Sequence, residues 1–280
     1  EKNKMIHIIL PAYNEANSLR LLLPNLTVTL KEENLKYKIY VVDDGSSDNT
    51  SGIVRLFKQK KVQLIKHRHN LGLAEAINSG FREVIKLAES DDVIITMDAD
   101  NTHLPGLIVR MVRLIKEGND VVVSSRFITG AKVRGVSFFR RILSTIGSLL
   151  FRLLFPIAGI RDYTCGYRAY RMSIIRRAIR EYSENFIDQK GFSCMVDILL
   201  KLGKFDPICV EVPMVLRYDR KIGKSKMKVK STIFETLKLI VTRMFDGKWV
   251  INRNLVTIFF IFIFLLFRLV KISRLPLFSD

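Results

Sequence analysis

The chain reads as an α/β domain: a mixed, mostly parallel sheet flanked by helices, followed by amphipathic helices and a hydrophobic C-terminal segment. Three observations predict this. Short apolar runs alternate with helix-period segments through residue 125, the pattern of βαβ units. Polar residues cluster just after those runs, where open α/β sheets hold their ligands. Near the end, Leu255–Phe267 is an uncharged run of 13 residues closed by Arg268 and Lys271.

Taken in order, Met5–Leu10 has a buried-strand pattern that Pro11-Ala12-Tyr13-Asn14-Glu15 ends abruptly. Leu19, Leu22, Leu23 and Leu26 then recur at helical spacing, with Pro24 expected to kink or shorten the helix. Lys38–Val42 is a second strand running into Asp43-Asp44-Gly45, where Ser47, Asp48 or Thr50 is placed to cap a helix ending near Lys58. Val62–Ile65 is a third strand, and Leu73 to Leu87 the helix after it. Val93–Met97 is a fourth strand, Leu104–Lys116 a helix with Gly118 as its C-terminal stop, and Val121–Ser124 a fifth strand.

The fourth strand organises the rest. It delivers Asp98 and Asp100 two residues apart, and residues i and i+2 of an extended strand share a side. Two converging carboxylates repel unless a cation lies between them, and hard oxygen ligands suit Mg²⁺ or Mn²⁺ with phosphates completing the shell. Solvated loop carboxylates also produce Asp-x-Asp, so the surroundings decide. Tyr13 and Glu15 follow strand one, Asp43 and Asp44 strand two, Asp98 and Asp100 strand four, and Arg126 strand five. A parallel sheet brings all of these to one crevice.

Beyond Arg126 the character changes. Phe138–Phe155 mixes apolar residues at helical spacing with Arg140, Arg141 and Arg152, which fits either a helix in a membrane interface or one facing a core. Asp162–Arg168 reads as a polar loop, Gly191–Leu202 as a helix and Ile208–Pro213 as a strand. Arg217–Lys230 is a basic loop, and Ile233–Phe245 a second amphipathic helix. A membrane span needs about 20 residues, which Trp249–Ile272 supplies with its interfacial Trp and snorkelling cations. The expected division is a main domain at 1–228, an interfacial helix at 229–248, and a transmembrane helix with tail at 249–280. The basic loops place the main domain on the cytoplasmic side.

Lys and Arg number 46 against 27 Asp and Glu, a net charge of +19. That surplus calls for a polyanionic partner: nucleic acid, an anionic membrane, or phosphorylated substrates. With 48% hydrophobic residues the membrane is the better fit, and a nucleic-acid binder leaves the strand-end acids unexplained. Cys165, Cys194 and Cys209 are odd in number and lack Cys-x-x-Cys spacing, so a reducing compartment is expected, without disulfide or zinc. Glu1-Lys2-Asn3-Lys4 leads straight into a strand-like run and does not read as a signal peptide. His7, His67, His69 and His103 share no ligand spacing; His103 alone neighbours the acid pair.

Pro-Ala-Tyr-Asn-Glu at 11–15, Val-Asp-Asp-Gly-Ser-Ser-Asp-Asn-Thr at 42–50 and Asp-Ala-Asp at 98–100 together resemble the family 2 glycosyltransferases. Ser125-Arg126-Phe127, Arg140, the Asp162–Arg168 loop and Arg220-x-x-Gly-x-Ser-Lys-Met resemble the narrower polyprenol-phosphate (dolichyl-phosphate) mannose synthases, a likeness reaching to Met227. The resemblance implies a GT-A (Rossmann-like) fold and a nucleotide-sugar donor, GDP-mannose by preference. Pro11, Tyr13, Glu15 and Asp43 would line the donor nucleoside pocket, with Asp44, Asp98 and Ala99 beside it. Asp98 and Asp100 would hold Mg²⁺ or Mn²⁺ on the diphosphate, and Asp100, Arg126, Arg140 and Arg220 would carry the reaction. Arg126, Arg140, Ser144, Arg220, Ser225 and Lys226 would gather the phosphates of donor and polyprenyl or dolichyl phosphate acceptor. Two positions depart from the family pattern. Thr102 stands where an amide ligand is usual and would reach the metal through water, and Lys224 stands where Glu is usual.

The expected chemistry is inverting and metal-dependent transfer of a hexose. A phosphate monoester, with a second pKa of about 6, is already an anionic nucleophile and needs no general base. The alternatives are a UDP-glucose or other nucleotide-sugar transferase acting on a polyprenyl phosphate or a hydroxyl acceptor, and a processive polysaccharide synthase. The latter usually carries Gln-x-x-Arg-Trp, whereas the single Trp here is Trp249.

Overall fold

The computed structural model describes residues 4–58, 61–223 and 229–245. Five strands fall where the apolar runs predict them: β1 (Ile6–Ala12), β2 (Tyr37–Asp43), β3 (Val62–Lys66), β4 (Val93–Thr96) and β5 (Val121–Ser125). Between them lie α1 (Ala16–Glu32), α2 (Thr50–Arg55), α3 (Leu73–Ile85) and α4 (Leu107–Lys116). Ile6, Ile8, Ile9 and Leu10 of β1 are buried on both faces, as are Ile39 to Val42 of β2 and Val93 to Ile95 of β4. Strands so continuously apolar belong in the middle of a helix-covered parallel sheet.

Downstream come β6 (Lys132–Arg134), α5 (Phe138–Leu154), β7 (Arg168–Arg171), α6 (Met172–Tyr182), α7 (Ser193–Gly203), β8 (Cys209–Pro213), β9 (Val215–Arg217) and α8 (Val229–Met244). The main sheet has the order β3-β2-β1-β4-β7-β5-β8. β1 runs parallel to β2 and β4, with Ile8 opposite Ile39 and Ile95. β7 is antiparallel to both β4 and β5, Ala169 facing Ile95 on one side and Val122 on the other. β4 and β5 therefore run the same way, and the C-terminal ends of β1, β2, β4 and β5 share one edge. β6 and β9 form a separate two-stranded parallel ribbon.

Four expectations need correction. α1 is neither shortened nor broken at Pro24 and continues to Glu32, because Leu19, Leu22, Leu23, Leu26 and Leu30 bury one continuous stripe that holds it. β4 ends at Thr96, so Asp98 and Asp100 lie in the turn beyond the strand, not on it; Asn101 at φ 62° curls the chain there. Asp162–Arg168 is polar in sequence but not solvated: Asp162, Tyr163, Tyr167 and Arg168 are all fully buried. Its last residue opens β7, which the sequence reading missed together with α6.

α5 turns one face inward through Ser148, Phe151 and Leu154 and leaves Phe138, Ile142, Ile146, Leu149 and Leu153 exposed. Among the described residues no helix is long and apolar enough to cross a membrane. The expected transmembrane segment, 249–280, lies outside the described residues.

Candidate active site

The shared strand edge carries the chemistry. Just past β4, Asp100 is buried and its Oδ1 accepts from the Thr102 hydroxyl at 2.7 Å and the Thr102 amide at 3.2 Å. Its Oδ2 takes the Lys221 ammonium at 2.5 Å. Burial opposes ionisation of Asp100, yet the Lys221 charge and these hydrogen bonds hold its carboxyl below the usual range. Asp98 behaves oppositely. Burial pushes its carboxyl up, the negative Asp100 adds to that, and His103 and Lys221 oppose it. No hydrogen-bond donor among the described residues meets the Asp98 carboxylate.

A half-exposed carboxylate with no hydrogen-bond donor, two residues from a second carboxylate, is a place a divalent cation fits. Among the described residues no third His, Cys, Asp or Glu completes a ligand set, so the remaining ligands would come from water or substrate phosphates. Thr102 buttresses Asp100 through its hydroxyl and amide. His103 is buried and stacks on Tyr167 with ring centroids 4.9 Å apart; its Nδ1 has no hydrogen-bond partner among the described residues.

Arg126, first residue after β5, is brought to the same edge but is gripped from behind. Its Nε and Nη2 donate to Asp162 at 2.8 and 2.6 Å, and Nη2 also donates to the Thr164 hydroxyl at 2.6 Å. Burial works against the guanidinium charge, but the fully buried Asp162 raises the Arg126 pKa well above its ordinary value. Ser144 of α5 lies 3.2 Å from the Thr164 hydroxyl, joining the same network. Arg140 donates from Nη1 to the Tyr218 hydroxyl at 2.8 Å, which ties α5 to the turn after β9. Arg220 is exposed in that turn, and it is the next residue, Lys221, that contacts Asp100. Ser225 and Lys226 lie outside the described residues. Gly135 makes the approach of this turn possible: at φ 77°, a Cβ there would lie 2.5 Å from the Asp219 nitrogen.

The other end of the edge is knitted by short polar side chains. Pro11 sits in β1 opposite Val42, and Tyr13 follows half-buried. Glu15 is buried, its amide donating to the Thr50 hydroxyl at 2.9 Å and its carboxylate accepting from Ser18 at 2.7 Å. Asp43 accepts from the Ser46 amide at 3.0 Å and from the Ser51 hydroxyl. Asp44 is occupied by the loop after β3: His67 Nδ1 at 2.7 Å and the amides of Leu71 and Gly72, both at 2.8 Å. Ala99 is buried between the two acids. Gly45 at φ 67° lets the two loops meet, since a Cβ there would lie 2.3 Å from the His69 carbonyl carbon.

Four contributors escaped the sequence reading. Lys221 was hidden in a basic run, and Asp162 and Thr164 in an apparent polar loop. Asn14 carried no visible assignment; its Oδ1 accepts from the Ser47 amide at 2.8 Å and fastens the 46–48 turn. The 162–168 loop was marked by its family resemblance without roles for Asp162 or Thr164, and the place of Asn14 between Tyr13 and Glu15 on a strand-ending turn favours a residue tolerant of φ 51°.

Comparison with known proteins bears on the family and the fold. The sequence profile described as Glycosyl transferase family 2 matches residues 7–179. A dolichol-phosphate mannosyltransferase of Pyrococcus furiosus is 34% identical over 246 residues, covering 87% of this chain and 64% of that protein's length. A polyprenol monophosphomannose synthase of Mycolicibacterium smegmatis is 30% identical, covering 79% of this chain and 80% of that protein. In fold, glucosyl-3-phosphoglycerate synthase from Mycobacterium tuberculosis superposes with a TM-score of 0.57 at 17% identity, over 90% of this chain and 81% of that one. The sheet is thus of the GT-A type, and the chain belongs to glycosyl transferase family 2.

Proposed function

We propose that this glycosyltransferase moves a hexose, mannose by preference, from a nucleotide sugar, GDP-mannose by preference, to the phosphate of a polyprenyl or dolichyl phosphate. The observation that carries the reading is the meeting of Asp98 and Asp100 with Arg126 and Lys221 at one sheet edge, beside a helix with an exposed apolar stripe. The names of the P. furiosus and M. smegmatis relatives support the acceptor class.

Pro11, Tyr13, Glu15 and Asp43 line the nucleoside end, with Asp44 holding the 67–72 loop in place around it. Asp98 and Asp100 hold Mg²⁺ or Mn²⁺, which when bound neutralises charge on the departing diphosphate. Arg126, Arg140, Arg220, Ser144, Ser225 and Lys226 receive the phosphates. An acceptor phosphate oxygen attacks the anomeric carbon, the bond to the diphosphate oxygen breaks with its electron pair, and configuration inverts. The acceptor is already anionic, so no proton is removed, and alignment by the arginines supplies the rate. Residues 1–228 act as the catalytic domain, 229–248 as an interfacial helix and 249–280 as the membrane anchor, with the active site on the cytoplasmic face.

A panel of nucleotide sugars incubated with a short polyprenyl phosphate and Mg²⁺ or Mn²⁺, read by mass spectrometry, tests this. Polyprenyl-phosphate hexose is expected, strongest with GDP-mannose. A product from UDP-glucose alone overturns the donor, and transfer only to hydroxyl acceptors overturns the acceptor. Arg126→Ala should lower kcat by about a hundredfold or more while nucleotide-sugar binding survives; equal loss of both refutes its role.

A further inference from the structure

Arg126 and Asp98 pose a problem that the fold must solve. The guanidinium is wanted for phosphate oxygens and the carboxylate for a cation, yet one short loop borders both: Arg126 donates to Asp162 and Thr164, and a Cβ on Gly166 would lie 4.0 Å from Asp98 Oδ1. An arginine is long and flexible, and Asp98 has no hydrogen-bond donor of its own among the described residues. Left alone, the two would pair and each would be lost to its ligand.

We propose that Asp162 is a positioning residue that holds Arg126 off Asp98, keeping the guanidinium and the carboxylate separately available. The inference deepens the function proposed above and rests on its assignment of Asp98 to a divalent cation. Asp162 is completely buried and accepts five bonds: the Arg126 amide at 3.0 Å, Nε at 2.8 Å, Nη2 at 2.6 Å, the Cys165 amide at 3.1 Å and the Thr164 hydroxyl at 3.5 Å. The side-on grip takes the Nε and Nη2 edge and leaves Nη1 without an acceptor among the described residues, the one nitrogen open to a substrate oxygen.

The clamp is itself anchored. The amides of Arg161 and Asp162 donate to Glu211 Oε1 on β8 at 2.7 and 2.6 Å, and the Tyr163 hydroxyl donates to the Phe155 carbonyl at 2.8 Å. The loop then returns to Asp98 at its other end, where a Cβ on Gly166 would lie 4.0 Å from Asp98 Oδ1. Asp162 is thus fixed by the sheet and cannot follow Arg126. A buried, bidentate carboxylate outcompetes a half-exposed one for the same arginine.

Titration of the full chain with Mn²⁺ alone, free ion followed by electron paramagnetic resonance without donor, tests this. Wild type should bind saturably and Asp98→Asn should not. Asp162→Asn should weaken Mn²⁺ binding by about tenfold, as Arg126 turns onto Asp98. Adding Arg126→Met to Asp162→Asn should return the affinity to that of Arg126→Met alone, a rescue that simple loosening of the loop would not give. Wild-type affinity in a folded Asp162→Asn, or a double variant as weak as Asp162→Asn, overturns the clamp while leaving the proposed function standing. Absence of Asp98-dependent binding in wild type overturns both. If Asp162→Asn fails to fold, Thr164→Val, which keeps Asp162 but removes an Nη2 acceptor, should weaken binding about twofold to threefold, with Thr164→Ser unchanged. An unaffected Thr164→Val then overturns the proposal.

Discussion

His7 lies in β1 near the end of the sheet opposite the acids, and its surroundings set a pH dependence. Its Nε2 is 3.1 Å from Asp92 Oδ2 and its Nδ1 3.1 Å from the Tyr40 hydroxyl, with the ring 3% exposed. Burial depresses its pKa, outweighing the attraction of Asp92, and Lys38 pushes the same way. The unfolded chain therefore takes up this proton at a higher pH than the folded one. Stability from a neutral His7 is complete above the ordinary value of 6.5 and is lost as pH falls through the lower folded value. Urea midpoints measured from neutral to mildly acidic pH should fall in wild type and fall less steeply in His7→Gln; parallel curves would refute the assignment. Legibility at this scale followed sequence distance. Tyr13, Glu15, Asp43, Asp98 and Arg126 each announce themselves by following an apolar run. Lys221 meets Asp100 across 121 positions and Asp162 meets Arg126 across 36; no local pattern encodes such partners. Asp44 was visible as a strand-end acid, but only the folded chain reveals that it faces His67.

At the scale of elements, β1 to β5 and α1 to α4 were legible because each buries a clear stripe or run. β7 and α6 were not. Arg168 and Arg171 bracket a strand of four residues, and a buried arginine defeats any reading from polarity. Arg168 survives there because the carbonyl oxygens of Tyr163, at 2.7 Å, and Met195 accept its Nη protons. The docking of α8 against α7 rests on the same kind of device. Asp197 receives Arg243 at 2.7 and 2.9 Å and Lys201 at 2.8 Å, and Lys201 also reaches Asp188 at 3.0 Å. Asp197 and Lys201 are each 1% exposed, so removing the shared carboxylate leaves two cations with Asp188 alone as counter-charge, at 3.0 Å from Lys201 and 3.5 Å from Arg243. Asp197→Leu should cost about 3–5 kcal/mol by chemical denaturation. Replacing Asp197, Lys201 and Arg243 together by apolar residues should recover most of that loss. A triple variant as unstable as the single one would show that the cations were not the cause.

For the whole molecule, one sheet edge gathers the acids together with Arg126 and Lys221, and α5 extends from that edge with its outer stripe bare. Phe138, Ile142, Ile146, Leu149 and Leu153 recur at intervals of four, four, three and four, all exposed, with Arg141 and Arg152 exposed alongside. The inward face through Phe151 and Leu154 is already satisfied, so the outer face is left over after folding rather than needed for it. The arginines among apolar side chains match the boundary between lipid phosphates and acyl chains, and the surplus of +19 adds long-range attraction to an anionic leaflet. Ser144 on the same helix touches the Thr164 hydroxyl that steadies Arg126, so seating α5 in a bilayer would hold the phosphate-binding groups at headgroup depth. The combined variant Ile142→Glu with Leu149→Glu should therefore lose about tenfold in turnover on a long polyprenyl phosphate embedded in anionic vesicles, since burying each side chain is worth roughly 1–2 kcal/mol. Turnover on a short, water-soluble prenyl phosphate should be unchanged, because the outer stripe touches neither acid pair nor arginine. Raising the salt from about 0.05 to about 0.5 M should erode the advantage of anionic over neutral vesicles in wild type. Equal loss on both acceptors would instead mean that the glutamates had disturbed the site, and no loss on either would leave the stripe without a lipid role.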